Sequence, residues 1–376
     1  MKHLLVTNDF PPKVGGIQSY LWELWRRLPA SDVAVLTTPY RGAREWDASQ
    51  PFRVVRTREP VLLPIPSLAR RIDALADETR AQLVLLDPAL PLALLGPHLR
   101  HRYGLVLHGA EVTVPGRLPL SHGLLRHVLR GADLVVSAGG YALAEATRAA
   151  GRALPAVDIP PGVDTDRFRP LTDAERKDAR QKFGLPVDGD LVIGVSRLVP
   201  RKGFDTLLRA APRLRGRHPD LTIAIGGSGR DRRRLELLAT RAGSRVELLG
   251  RVSDEDLPLL YGTADVFAMA CRNRWFGLEQ EGFGIVFLEA AAAGVAQLAG
   301  TSGGSEEAVV DGGTGFVVRE PNDPDAVARA LDALLSDPER RRQMGRQARA
   351  RAVEAFSYDV LARRLAIAID GAGDRA

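Results

Sequence analysis

Cysteine is nearly missing: Cys271 is the only one in 376 residues. One thiol excludes an intramolecular disulfide framework and fits a reducing, cytoplasmic compartment. Cysteine and histidine never cluster at metal-ligand spacing, so no metal cofactor is expected. No apolar run approaches the roughly 20 residues that span a bilayer. Met1-Lys2 leads straight into the strand-like His3-Leu-Leu-Val-Thr7, which is too short for a signal peptide. Internal repeats and low-complexity tails are lacking too. Lysine is scarce, and almost all the basic charge is arginine. Those arginines are not interleaved with aromatics as in a single-strand binder, so no nucleic-acid partner is expected.

What remains is an ordinary globular composition, 45% hydrophobic and 26% charged, over a length that suits two domains. A net charge of +6 and a pI of about 9.7 favour anionic partners without choosing among nucleic acid, anionic lipid or a phosphorylated ligand. Apolar runs at 3–8, 33–37, 83–87, 104–108 and 133–137 alternate with helical patterns over 17–28, 67–80 and 118–130. Continuously apolar strands alternating with amphipathic helices predict a parallel sheet covered on both faces. Three prolines and a glycine at 158–170 cannot continue an element and place a hinge there. The pattern restarts with strands at 190–196, 221–226, 245–249 and 265–268. The expected fold class is therefore α/β, with two Rossmann-like domains, 1–165 and 166–355, facing across a cleft. A terminal helix within 356–376 would pack back toward the first domain. Ligands in such sheets bind beyond the carboxyl ends of the strands.

The stretch Glu281-Gly-Phe-Gly-Ile-Val-Phe-Leu-Glu289 puts two carboxylates eight positions apart around a glycine turn that enters a helix. Glu289 falls roughly a turn and a half inside that helix. Between the two lie unpaired N–H groups and the positive dipole end, which bind anions. Such a site suits a sugar nucleotide: pyrophosphate on the helix end, one glutamate toward the sugar, the other toward the ribose. The plainer alternative is a capped helix with two surface glutamates. Four further segments sit at predicted strand ends. Gly15-Gly16 lets the backbone approach a ligand and is not the G-x-G-x-x-G pattern. Arg197 and Lys202 in Ser196-Arg-Leu-Val-Pro-Arg-Lys-Gly203 can close on a pyrophosphate, one as a planar fork and the other as a point charge. His108, followed by Gly109, can hydrogen-bond a sugar hydroxyl from the opposite cleft wall. The main chain of Arg251 and Val252 can edge a nucleobase.

Together with Thr7-Asn-Asp-Phe-Pro-Pro-Lys-Val-Gly-Gly-Ile-Gln-Ser-Tyr20, Pro160-Pro-Gly-Val-Asp-Thr-Asp-Arg-Phe168, Asp265-Val-Phe-Ala-Met-Ala-Cys-Arg-Asn-Arg274 and Gly303-Gly-Ser-Glu-Glu-Ala308, these segments resemble the retaining GT-B glycosyltransferases of glycosyltransferase family 4. The resemblance covers essentially the whole chain and narrows toward the actinobacterial phosphatidylinositol mannoside mannosyltransferases. It implies a GDP-mannose donor and a lipid-linked acceptor. By position, Glu281, His108, Arg197 and Lys202 would be catalytic. Gly16, Arg197, Lys202, Arg251, Val252, Phe283, Gly284, Ile285 and Glu289 would bind the donor. Trp275-Phe276 and Glu279-Gln280 depart from the family by filling the loop before Glu281 with bulkier or more polar residues.

No acidic residue occurs at 112–132, whereas Arg117, Arg126 and Arg130 accompany an apolar side of Leu118, Leu120, Leu124, Leu125, Val128 and Leu129. This basic amphipathic stretch suits either an anionic leaflet or a domain core. With the resemblance, it predicts an enzyme peripheral on the inner face of the cell membrane. Rival readings keep the fold with a UDP-sugar donor or a soluble acceptor, or make the chain a two-domain nucleotide-sugar epimerase or a non-catalytic sugar-nucleotide or nucleic-acid binder.

Overall fold

A computed structural model describes residues 1–275 and 279–373. The chain forms two α/β units. The first is Met1–Gly162 together with the last helix, Tyr358–Gly373; the second is Val163–Ser357.

In the first unit seven strands run parallel: β1 His3–Thr7, β2 Val33–Thr37, β3 Arg53–Arg56, β4 Leu83–Asp87, β5 Tyr103–Leu107, β6 Leu134–Ser137 and β7 Ala156–Asp158. Their order is β3-β2-β1-β4-β5-β6-β7. Leu5 registers with Val35 on one side and Leu85 on the other. All five residues of β1 are buried, as expected of a strand covered by helices on both faces. The second unit repeats the plan with β8 Leu191–Val195, β9 Thr222–Gly226, β10 Arg245–Gly250, β11 Val266–Met269, β12 Ala296–Gly300 and β13 Gly315–Val318, in the order β10-β9-β8-β11-β12-β13. The strand order reverses between β1 and β4, and again between β8 and β11. At each reversal the loops leaving the carboxyl ends diverge and open a crevice for a ligand.

Four strands were not anticipated. β3 and β7 are short edge strands whose residues are only partly covered, so their composition carries no continuous apolar run. β12 is central and fully buried but reads Ala-Gln-Leu-Ala-Gly, with no β-branched or aromatic residue. β13, Gly-Phe-Val-Val, is an edge strand only four residues long.

The chain passes between units at Gly162/Val163 and again at Ser357/Tyr358. At the crossing the Val163 N–H donates to the Phe356 carbonyl at 2.9 Å. The last helix buries Leu361, Leu365, Ile369 and Ala372 in the first unit's core. Arg27 pairs with Asp359 at 2.8 Å, and the N-terminal ammonium pairs with Asp370.

Candidate functional site

Two loops meet at the β8/β11 reversal. One leaves β8 through Ser196 and ends at Gly203; the other leaves β11 and runs to Glu281. Gly203 has φ +72°, and a Cβ there would lie 1.9 Å from the Ala270 carbonyl oxygen. Only glycine lets these loops touch. Their contact brings the Lys202 ammonium to 2.6 Å from Glu281 Oε2. Both residues are buried, 5% and 7% exposed. The loop after β12 clamps Glu281 from the other side. Its N–H donates to Ser302 Oγ at 2.9 Å, and its carbonyl accepts from Gly304 at 3.2 Å. Gly303, at φ +52°, would drive a Cβ into the Glu281 carbonyl.

Past Glu281 comes Gly284 at φ +86°, the residue before helix Ile285–Ala292. In this first turn the Phe287 N–H donates to the Gly284 carbonyl at 2.9 Å; the N–H groups ahead of it, at the helix start, have no intrahelical acceptor. Glu289 sits in the second turn, half-buried, and accepts from the Tyr261 hydroxyl at 2.6 Å. Burial raises its pKa, outweighing the Tyr261 hydrogen bond and the Arg167 charge. The Phe283 ring packs on Phe356 at 5.8 Å between centroids and is buried, so a donor contact from Phe283 is limited to its main chain. The Cys271 thiol, pushed up to about 11 by burial, is inert at neutral pH.

A second feature of this unit is a cavity of about 360 Å³ lined by Arg197, Gly227, Arg251, Val252 and Asp254. Arg197 is exposed, unlike Lys202. The structure therefore gathers Arg197, Arg251 and Val252 on one cavity, and Lys202 with Glu281 at a buried pair.

In the first unit the corresponding reversal lies between β1 and β4. Asp87, the last residue of β4, accepts from Thr7 Oγ1 at 2.5 Å and lies 2.8 Å from His108 Nε2. Burial pulls the imidazole pKa down. The Asp87 charge and hydrogen bond, aided by Glu111 and Asp9, outweigh it and raise the pKa overall. The Tyr20 ring meets His108 edge-on at 5.6 Å. Gly16 opens helix Gly16–Trp25, and a Cβ there would meet no protein atom within 4 Å. Nothing in the fold demands glycine at this position.

Residues 14–167 match the family described as Glycosyltransferase Family 4, and residues 175–351 the one described as Glycosyl transferases group 1. The GDP-mannose-dependent alpha-(1-6)-phosphatidylinositol monomannoside mannosyltransferase of Mycolicibacterium smegmatis is 42% identical over 378 residues, 98% of each chain. Its counterpart in Mycobacterium tuberculosis is 41% identical over 96% of each. This chain belongs to glycosyltransferase family 4 and has the GT-B fold. The fold recurs in Anabaena HepE, whose complex with UDP superposes at a TM-score of 0.82 with 21% identity, over 99% of this chain and all of that one.

Several partners of these candidate residues escaped the sequence. Asp87 orients His108, yet in sequence it is only the end of an apolar run. Arg201 lies 3.8 Å from Glu281 Oε2 through a buried Nε with no hydrogen-bond partner among the described residues. Its place beside Lys202 was visible, but its turn toward Glu281 was not. Asp254 lines the cavity with Arg251, three residues earlier. Tyr261 reaches Glu289 from 28 positions away. In the loop before Glu281, the Arg274 guanidinium stacks over Trp275 at 4.9 Å and pairs with Glu279 at 3.0 Å. Phe276 lies outside the described residues.

The basic stretch becomes the last turns of helix Ala110–Arg117 and, after Leu118, the whole of helix Pro119–Gly131. Leu125, Val128 and Leu129 face the core, whereas Leu118, Leu120 and Leu124 are exposed, Leu120 to 94%. Arg117 lies 3.4 Å from Glu145, and Arg130 donates to the Ala150 carbonyl at 2.7 Å. Arg126 is exposed. Among the described residues no helix is long and apolar enough to cross a membrane.

Proposed function

We propose that this glycosyltransferase transfers mannose, with retention, from GDP-mannose to a phosphatidylinositol mannoside lipid. The observation that carries the reading is the buried Lys202–Glu281 pair, held at the β8/β11 reversal beside the free N–H groups of helix Ile285–Ala292. The relatives named above, identical at two residues in five, support the donor and acceptor.

In this reading the diphosphate lies against Arg197, Lys202 and the N–H groups of Gly284 and Ile285. The backbone at Phe283 and Gly16 approaches it. Glu281 takes the mannose hydroxyls and Glu289 the ribose. Guanine enters the cavity beside Arg251, Val252 and Asp254. Its N1–H and amino group donate to a carboxylate; uracil, with one N–H between two carbonyls, suits Asp254 less well. His108 binds a sugar hydroxyl.

The acceptor hydroxyl attacks the anomeric carbon on the face the diphosphate leaves. The carbon–oxygen bond to acceptor forms as the bond to the β-phosphate breaks. The hydroxyl proton passes to the leaving phosphate oxygen, and GDP departs. Negative charge grows on that phosphate, and preorganised cations and N–H groups stabilise it; such electrostatic terms are usually the largest in catalysis. Because Arg197 and Lys202 already supply positive charge, a metal ion is not required, and turnover is expected to persist in EDTA.

The acceptor would be met at an anionic leaflet through Arg126 and the exposed leucines of helix Pro119–Gly131, with Arg117 and Arg130 at its ends. No nucleic acid has a part in it. Radiolabelled GDP-mannose incubated with membrane lipid extract tests the whole reading. Label in a mannosylated inositol lipid is expected. Label released only as free mannose, or transfer from UDP-glucose instead, would overturn it.

A further inference from the structure

We propose that the loop joining β3 to helix Pro66–Thr79 holds one acyl chain of the lipid acceptor in an apolar cavity. The inference deepens the acceptor side of the function above and rests on that reading. The cavity has a volume of about 540 Å³ and belongs wholly to the first unit. Leu62 and Leu68, both buried, form its inner wall. Val61, Leu63 and Ile65 line it too, yet they are 51%, 52% and 47% exposed. Single exposed aliphatic residues mean little, but three within five positions around a cavity mark a binding surface. Polar groups are few: Glu59 and Arg71, 3.9 Å apart, and Ser67. Mostly apolar lining with a few polar groups is the usual make-up of a site for a small amphiphilic ligand.

The position of the cavity says which ligand. The Leu62 N–H donates to Asn8 Oδ1 at 2.7 Å, and Asn8 begins the loop that carries Gly16. Arg56 donates to the Pro11 carbonyl in the same loop at 2.6 Å, and Arg71 donates to the Arg56 carbonyl at 3.1 Å. Cavity wall and site loop are thus one hydrogen-bonded piece at the carboxyl end of the sheet. A ligand with a polar head at that loop and an apolar tail running along this piece is an amphiphile. An extended peptide is poorly served, because Pro60, Pro64 and Pro66 remove the N–H donors that would pair with an added strand. An acyl chain needs none.

The test is calorimetric titration of the full chain with lysophosphatidylinositols of increasing chain length, each kept below its micelle threshold. Wild type is compared with Val61→Ser/Leu63→Ser, whose side chains are half exposed. Affinity should rise about four-fold for each methylene until the cavity is filled. The double variant should flatten that series and leave GDP affinity unchanged. Equal affinity for glycerophosphoinositol and the longest lipid, or an unaltered series in the variant, overturns the proposal. So does a variant that loses vesicle pelleting but keeps the series, because the loop would then dock on a bilayer rather than take a chain. Mannose transfer is measured separately: its absence beside an intact series would condemn the assigned reaction and leave the acyl site standing.

Discussion

Lys202 and Glu281 are tied to each other, so substituting either tests chemistry and stability together. Removing one partner of a buried pair leaves the other charge without compensation. The two substitutions are not equivalent. After Lys202→Ala, Arg201 lies 3.8 Å from the orphaned carboxylate with a spare Nε and can take it over. After Glu281→Ala, two cations face each other. We expect both variants to fold and to lose about a hundred- to a thousand-fold in kcat, the usual cost of one transition-state donor. Glu281→Ala should melt lower than Lys202→Ala. Purified Lys202→Ala with wild-type turnover would remove that residue from the diphosphate. Glycines provide a second comparison. Gly203→Ala forces a Cβ to 1.9 Å from the Ala270 carbonyl and should destabilise strongly, whereas Gly16→Ala meets only open space. The Gly16 variant should keep its stability within about 0.5 kcal/mol, as substitutions free of new contacts do, while the KM for GDP-mannose rises. An unchanged KM would leave Gly16 without a role.

At the scale of elements, helix Pro119–Gly131 divides its apolar residues between the core and the surface. Interfacial binding grows with buried apolar area and with attraction to anionic lipid. Wild type is expected to pellet with anionic but not neutral vesicles. Leu118→Ser/Leu120→Ser/Leu124→Ser should stay in the supernatant at unchanged melting temperature, since none of the three is buried. Equal pelleting with both vesicle types would count against docking. The same helix marks the limit of reading a sequence. Its amphipathic spacing was visible, as were the buried strands β1, β4, β8 and β11 and the glycine turn into helix Ile285–Ala292. That Arg117 meets Glu145, 28 positions away, was not, because the pairing depends on how two helices pack. Asp87 behind His108 and Tyr261 beside Glu289 were hidden for the same reason: periodicity finds the element, but partners distant in sequence are set by register. Edge strands β3 and β7 were missed because partial exposure erases the apolar run that announces a strand.

On the scale of the whole molecule, two units predict unfolding that is not two-state, and pH can tell the units apart. Two histidines of the first unit are shifted in opposite senses. His3 is buried in β1, and Nε2 has no hydrogen-bond partner among the described residues. Burial drives its pKa from 6.5 to about 4, against the pull of the Met1 carbonyl. Below 6.5 the unfolded chain binds a proton that the folded one refuses, so stability falls as pH drops from 6.5 toward 4. The shift corresponds to a loss of roughly 3 kcal/mol. His108 behaves oppositely. Its pKa is raised by Asp87, so the folded state holds the proton longer than the unfolded state does. That stabilisation is full below 6.5 and is lost as pH rises through the raised value. The first unit should therefore be most stable near pH 6.5, with one histidine shaping each limb. Scanning calorimetry across pH 4 to 8 should find one transition with this profile. Asp87→Asn should flatten only its alkaline limb, and His3→Gln only its acid limb. If Asp87→Asn leaves the alkaline limb intact, the carboxylate is not what holds the His108 proton, and another group must orient the imidazole.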